Sequence, residues 1–306
     1  TLLKGLVVFN GDFYVKDTEN LLLPLTVAPS TGFNSYVENI GKLRNTGLEG
    51  RLRLNLIKDS QRDLRWNVTL SAFHNKSKIT KLSNQLEEIN KYANNDFYNK
   101  GTVVYRQYEA GRSQTALMVV QSGGIDPATG NEIYIKRNGE LTFEYDANDK
   151  VKCGDLKPTI EGNVNTNLTW KGFTLYMLFK YQFGAKAYNG TLASKVEGAN
   201  PYRNADKRVL YDRWKEPGDH AKFRRIDDRT SPYQTTRLVF DNDLFTLSSV
   251  SLSYELPRDI SQKFYADRVR LMLSTTDVFR LSTIKQERGT TYPFARTFNM
   301  SLNVTF

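Results

Sequence analysis

The sequence predicts an all-β protein, an antiparallel transmembrane β-barrel, and three observations carry that expectation. Apolar and polar residues alternate strictly in many segments, as they must where successive strand side chains leave opposite faces. Short polar turns and long irregular stretches separate the alternating runs, the habit of outer-membrane barrels with tight turns at one rim and long loops at the other. Nothing in the 306 residues approaches the roughly 18 consecutive apolar residues of a membrane-spanning helix. Barrel strands need about half that apolar content and escape a hydropathy window, so the modest 39% hydrophobic fraction does not argue against them.

In chain order, Leu48, Leu52, Leu54 and Leu56 oppose Glu49, Arg51, Arg53 and Asn55. A short polar turn from Lys58 to Asp63 then leads into Leu64, Trp66, Val68 and Leu70, which oppose Arg65, Asn67, Thr69 and Ser71. A long irregular stretch is expected over roughly 79–101, and the segment around Cys153 reads as a loop. Val164, Leu168 and Trp170 oppose Asn163, Asn165, Asn167 and Thr169, and Trp170-Lys171-Gly172-Phe173 makes a tight hairpin. Phe173, Leu175, Met177, Phe179, Tyr181 and Phe183 then oppose Thr174, Lys180 and Gln182. After a second long stretch over roughly 184–237, Val250, Leu252, Tyr254 and Leu256 oppose Ser249, Ser251, Ser253 and Glu255. Val269, Leu271 and Leu273 oppose Arg268, Arg270 and Ser274, with Met272 an apolar intruder. A third long stretch covers roughly 282–295, and Phe298, Met300, Leu302, Val304 and Phe306 close the chain against Asn299, Ser301, Asn303 and Thr305. Helical spacing fits none of these runs. They amount to roughly ten strands of about 9–13 residues, the length a tilted spanning strand requires.

A soluble sandwich alternates too, but its polar face meets bulk water and favours Lys, Glu and Thr. Here the polar face is mostly Ser, Thr and Asn with some Arg, which suits a hydrated, enclosed lumen. The apolar face carries aromatics near strand ends, among them Trp66, Trp170, Phe173, Phe183, Tyr254, Phe298 and Phe306, as interfacial girdles do. Arg51, Arg53, Arg65, Arg268 and Arg270 are the candidate lumen residues; charge pairing within the wall is the plainer role, contact with cargo or an internal domain the functional one.

Composition narrows the chemistry. The net charge is +10, with 43 Lys and Arg against 33 Asp and Glu, but the basic residues are spread along the chain and interleaved with acids, so nucleic acid is not expected. One cysteine precludes an internal disulfide, and two histidines, His74 and His220, cannot build a histidine-rich metal centre. Glu87-Glu88 and Asp227-Asp228 read as solvated loops; an acid/base dyad needs a pocket that separates the two pKa values. Asp126, Asn131 and Glu132 lack the spacing of a calcium loop, and Asp-Pro-Ala-Thr-Gly reads as a turn built on Pro127 and Gly130. No catalytic, cofactor-binding or metal residue is expected. The opening TLLKGLVVFNGDFYV lacks the apolar core and cleavage site of a signal peptide, so a removed leader or a longer parent chain is expected.

Several ordered motifs add a resemblance. Tyr36 to Ile57, YVENIGKLRNTGLEGRLRLNLI, is similar to the "NIG-x-x-RN-x-G-x-E" segment of the SusC/RagA family of TonB-linked outer-membrane proteins of Bacteroidota. SGGIDPATGNEIYI (Ser122 to Ile135) resembles the family's "aGiDPaTGe" segment, and Gly154 to Asn189 resembles its "GD-x-x-P" hairpin and "fqFG" strand end. The resemblance implies a barrel of about 22 strands plugged by an N-terminal domain, energised through TonB and lidded by a SusD-like surface lipoprotein. Residues 1–306 would then be about the C-terminal half of that barrel, with plug and first strands elsewhere. It implies outer-membrane uptake of a glycan or peptide, with no bond chemistry and no cofactor. By resemblance to outer-membrane proteins generally, Phe306 would be the signal read by the barrel-assembly machinery. Two other classes fit the pattern: a self-contained small barrel acting as adhesin or enzyme, and a soluble carbohydrate-binding β-protein.

Overall fold

The computed structural model describes residues 5–19, 22–26, 35–39, 41–83, 107–200, 202–228, 230–284 and 295–306, together with Glu87 and Asn90. Eight strands form one antiparallel sheet. In the order of their pairing they are β1 (Val7–Thr18), β4 (Gly41–Asp59), β5 (Leu64–Leu82), β10 (Ile160–Trp170), β11 (Phe173–Phe183), β14 (Leu244–Glu255), β15 (Arg268–Ser282) and β16 (Phe298–Thr305). The sheet is an open piece of barrel, and neither β1 nor β16 has a second neighbour among the described residues. The wall therefore has eight strands here, against the roughly ten expected. The remaining strands build small sheets: β2 (Leu22–Thr26) with β3 (Ser35–Asn39), β12 (Lys186–Tyr188) with β13 (Val239–Asp241), and a four-stranded sheet of β6 (Ala116–Ile125), β7 (Glu132–Ile135), β8 (Leu141–Thr142) and β9 (Lys150–Asp155).

The connections sort by end. At one rim β4 and β5 are joined by residues 60–63, β10 and β11 by 171–172, and β14 and β15 by the short helical turns of 256–267. At the other rim lie 19–40, 83–159, 184–243 and 283–297. Lys171 (φ 45°) and Gly172 (φ 82°) are both left-handed, the pair of angles that matches hairpin twist. Gly172 is required there, since a Cβ would lie 2.7 Å from the Glu255 carbonyl oxygen. In the 60–63 turn the Asp59 carboxylate accepts from the amides of Gln61 and Arg62, at 3.0 and 3.1 Å.

Register turns the alternation into two surfaces. One rung of directly paired residues reads Ile57, Trp66, Leu168, Leu175, Leu252, Leu273 and Met300 from β4 to β16. Its neighbour reads Asn55, Asn67, Asn167, Tyr176, Ser251, Ser274 and Asn299. The first is wholly apolar and the second wholly polar, which is the inside–outside division of a membrane barrel. Apolar side chains on the first face are bare: Phe13 is 69% and Met300 71% exposed. A protein in water does not leave so large a contiguous face uncovered, whereas lipid covers it at no cost. Ile160 to Trp170 spans about ten steps of roughly 3.3 Å; a strand tilt of about 40° reduces that to roughly 25 Å, the height of the apolar band. Two polar groups within the apolar band are paired. The Trp66 indole donates to Thr166 Oγ1 at 2.8 Å, and the Tyr181 hydroxyl donates to the Ser71 carbonyl at 3.0 Å by lying across Gly162.

Four local expectations are corrected. β4 and β5 are each 19 residues long, well beyond a spanning strand, and β5 continues to Leu82. Leu56 is bulged out of register, so Ile57 rather than Leu56 faces Trp66. Cys153 lies in a strand, β9, not a loop. The stretch 184–237 carries helical turns, and its Ala193, Val196 and Phe223 form a buried core with Leu238. Of the expected irregular regions, 84–86, 88–89, 91–101, 201, 229 and 285–294 lie outside the described residues.

Two adjacent substitutions in the intact barrel test the division of faces. Leu252→Arg places a cation on the apolar rung and is expected to cost roughly 2–4 kcal/mol; Ser251→Arg, on the polar rung, is expected to cost less than 1 kcal/mol. Equilibrium refolding into detergent or lipid measures both, and equal costs would refute the assignment.

Candidate functional site: polar wall and loop cap

The polar face is layered. One rung carries Asn10, Arg51, Ser71, Asn163, Lys180, Thr246 and Arg280, and the next toward the long-loop rim carries Asp12, Glu49, Phe73, Glu161, Gln182 and Leu244. A basic layer thus lies directly below an acidic one, with the asparagine rung nearer the short-turn rim. The five sequence-picked arginines all lie on this face, but in two situations. Arg268 is paired with Glu255, and Arg270 donates to Ser253 Oγ at 2.8 Å, so these serve the wall itself. Arg51, Arg53 and Arg65 are exposed and have no acidic partner among the described residues. At the short-turn rim a hollow of about 870 Å³ opens between Asp63, Lys171, Glu255, Arg258, Asp267 and Arg268.

Above the long-loop rim, residues 107–159 and 184–243 fold together into a cap. The Val120 amide donates to the Gln234 carbonyl (3.3 Å), the Ser122 amide to Thr236 Oγ1 (3.0 Å), and the Trp214 indole to the Pro127 carbonyl (2.9 Å). Gly130 lets the Trp214 ring pack on the turn, where a Cβ would come within 2.5 Å. The cap's centre is ionic. Arg237 Nη2 reaches Glu132 Oε2 (2.9 Å) from the first excursion and Glu197 Oε1 (2.6 Å) from the second. Arg224 pairs with the same Glu197 oxygen (2.7 Å) and with Asp228 (2.5 Å), and Thr235 donates to Glu132 (2.6 Å). Burial opposes the charge of Arg237, yet the two carboxylates outweigh it and hold the guanidinium above its usual pKa. Arg213 donates to the carbonyls of Val196, Glu197, Val209, Arg224 and Arg225, a satisfied buried cation whose pKa burial lowers.

The cap leans over the polar face. Where β4 and β5 extend past the apolar band, Leu43, Ser77 and Ile79 on the polar-face side are buried, and Ile79 exchanges backbone hydrogen bonds with 111–112 at 2.8 Å. On the opposite side Arg44, Lys76 and Lys78 are exposed.

Other sequence-picked residues fall into place. Asp227 pairs with Arg225 and Asp228 with Arg224, so the two carboxylates serve separate partners. Asp126 caps its own turn, accepting from Thr129 Oγ1 at 2.6 Å, while Glu132 points into the cap core and is 3% exposed. Glu88 of the Glu87-Glu88 pair lies outside the described residues. Phe306 is 83% exposed at the short-turn end of the last strand. Sequence reading missed Glu197, Arg213, Arg224 and Arg237, because they lie in a stretch without periodicity and Arg237 meets Glu132 across 105 positions.

Similar proteins agree with the motifs. No family model matches the chain. Two curated relatives from Formosa agariphila are "TonB-dependent receptor P3", 26% identical over 331 residues, and "TonB-dependent receptor P26", 24% identical over 340 residues. They cover 96% and 100% of this chain, which spans about a third of their length. Among solved structures, the RagAB peptide transporter aligns with TM-score 0.74 at 21% identity, over 92% of this chain and 31% of its own. The RagAB importer in its open-open state aligns with TM-score 0.76, over 98% of this chain and 33% of its own. The resemblance to SusC/RagA-type, TonB-linked outer-membrane barrels holds in both sequence and fold.

The cysteine reports on the ion network. Burial raises the Cys153 thiol from 9.0 to about 11, so alkylation at pH 8 is expected to run about a hundredfold slower than for a free thiol. Arg237→Met strips a buried cation from two carboxylates and is expected to weaken the cap by roughly 3–5 kcal/mol. The Cys153 alkylation rate should then rise toward the free-thiol value; an unchanged rate would show that the network does not hold the cap.

Proposed function

Taking the chain as a stretch of barrel wall from a SusC/RagA-type, TonB-linked outer-membrane protein, we propose that it serves TonB-dependent uptake of an oligomeric nutrient. The cargo enters at the capped rim and descends along the polar face. The observation that carries this reading is the pair of neighbouring rungs, one wholly apolar and one wholly polar, with the cap leaning over the polar side. A lumen lined by alternating basic and acidic layers suits a cargo carrying both charges, which favours a peptide over a neutral glycan. The wall performs no bond chemistry; it binds, orients and passes on.

On the same reading residues 1–306 are the C-terminal part of the barrel, and the plug, the TonB-contacting segment and the first strands belong to the rest of the protein. A SusD-like lipoprotein would sit on the cap side, and the hollow between Lys171 and Glu255 would face the plug. Phe306 would serve the assembly machinery.

Uptake of a labelled oligopeptide library by cells carrying the full-length receptor tests transport. Arg51→Gln/Arg53→Gln is expected to lower uptake several-fold at unchanged barrel abundance, and uptake should vanish without TonB. Undiminished uptake in both cases would overturn the reading. Deleting Phe306 is expected to reduce the folded fraction severalfold in a heat-modifiable gel shift, while Phe306→Tyr preserves it; equal assembly of the deletion would remove the signal role.

A further inference from the structure

The outward face of the wall does not stay apolar to the tips of its longest strands. On β1, β4 and β5 the rung Phe13, Leu48 and His74 is followed outward by Val15, Thr46 and Lys76, then by Asp17, Arg44 and Lys78. One step further Lys42 lies opposite Lys81. Arg44–Lys78 and Lys42–Lys81 are like-charge pairs directly across the sheet, an arrangement that destabilises a sheet unless an anion lies between. On the β1 side the charges are met: Asp17 pairs with Arg44 at 2.7 Å and Glu19 with Lys42 at 2.6 Å. On the β5 side Lys76, Lys78 and Lys81 are exposed and have no acidic partner among the described residues.

Position identifies the missing anion. Lys76 lies two residues beyond the His74 rung, roughly 7 Å along the strand, and Lys78 roughly 13 Å. With tilt, that range matches the headgroup layer beside the hydrocarbon, and lysine stems reach several ångströms further. The opposite face of the same segments packs against the cap, with Ser77 and Ile79 buried, so alternation leaves Lys76 and Lys78 on the outward face. We propose that Lys76, Lys78 and Lys81, with Arg44 and Lys42, form a docking strip for phosphate-bearing lipid headgroups of the leaflet at the capped rim. The strip continues the lipid-facing wall, and charge complementarity selects an anionic headgroup. It anchors β4 and β5 where they leave the bilayer and so fixes the height of the cap over the lumen. The proposal rests on the outward face being lipid-facing.

The intact receptor in nanodiscs of mixed phosphatidylglycerol and phosphatidylcholine provides the test, with retained lipids counted by native mass spectrometry on release. Wild type is expected to retain phosphatidylglycerol preferentially, and Lys76→Gln/Lys78→Gln/Lys81→Gln to lose that preference by about fivefold per lysine. The matching Arg triple should keep it. A triple of cap lysines, Lys195→Gln/Lys207→Gln/Lys215→Gln, should leave it unchanged although it removes the same charge. Equal retention by wild type and the strip variant, or an equal loss in the cap triple, would overturn the strip and leave a merely solvated basic surface. So would full competition by millimolar inorganic phosphate. Failure of wild type to enter nanodiscs would instead overturn the lipid-facing assignment beneath it.

Discussion

Every backbone N–H and C=O in the wall must find its partner inside the sheet, because hydrocarbon offers none. That requirement makes the strands neighbours in an unbroken antiparallel order from β1 to β16. It also forces a strict division of side chains, since pairing places directly opposed residues on the same face. Once Leu252 faces lipid, Leu175 and Leu273 beside it must too, and Ser251, Tyr176 and Ser274 must face the other way. The apolar and polar rungs are two readings of one hydrogen-bond network. Even the outward-facing donors obey the constraint, with Trp66 served by Thr166 and Tyr181 by the Ser71 carbonyl.

The cap obeys a different economy. It stands outside the bilayer and holds most of the tightly buried side chains, including Leu117, Met118, Val119, Val196 and Leu238. Its two excursions are joined by Arg237, which reaches a carboxylate in each. A buried ion pair of this kind adds little net stability compared with an apolar replacement, but it is costly to break, and its geometry admits few alternatives. The two excursions are thereby tied to one another beside the polar face. The extended β4 and β5 are the cap's supports, buried on the lumen side and basic on the membrane side.

Much of the wall was legible because a strand's two-residue period is written locally. The runs at Leu48–Asn55, Leu64–Ser71, Asn163–Phe183 and Phe298–Thr305 could be assigned residue by residue and keep their faces in the structure. Where bulges intervene, legibility fails for a definite reason. In β14 an extra residue, Ser248, shifts the outward positions from Phe245 and Leu247 to Val250 and Leu252, so the strand's first turn breaks the alternation. Leu56 hides Ile57's place in the same manner. The arginines were placed on the correct face, but whether an arginine is paired depends on the neighbouring strand: Arg268 finds Glu255, while Arg51 and Arg53 find no acid among the described residues.

The sequence by itself determined that this is an all-β wall, which side chains share a face, where the turns are tight, and which family of outer-membrane barrels it resembles. These follow from alternation and short motifs, and alternation is enforced between residues one or two positions apart. Only the tertiary structure decided that residues 107–159 and 184–243 form one cap, that Glu132 and Glu197 meet on Arg237, and that β4 and β5 carry a basic face beyond the apolar band. Those arrangements depend on segments about a hundred positions apart and on register between strands. No local period records either of them.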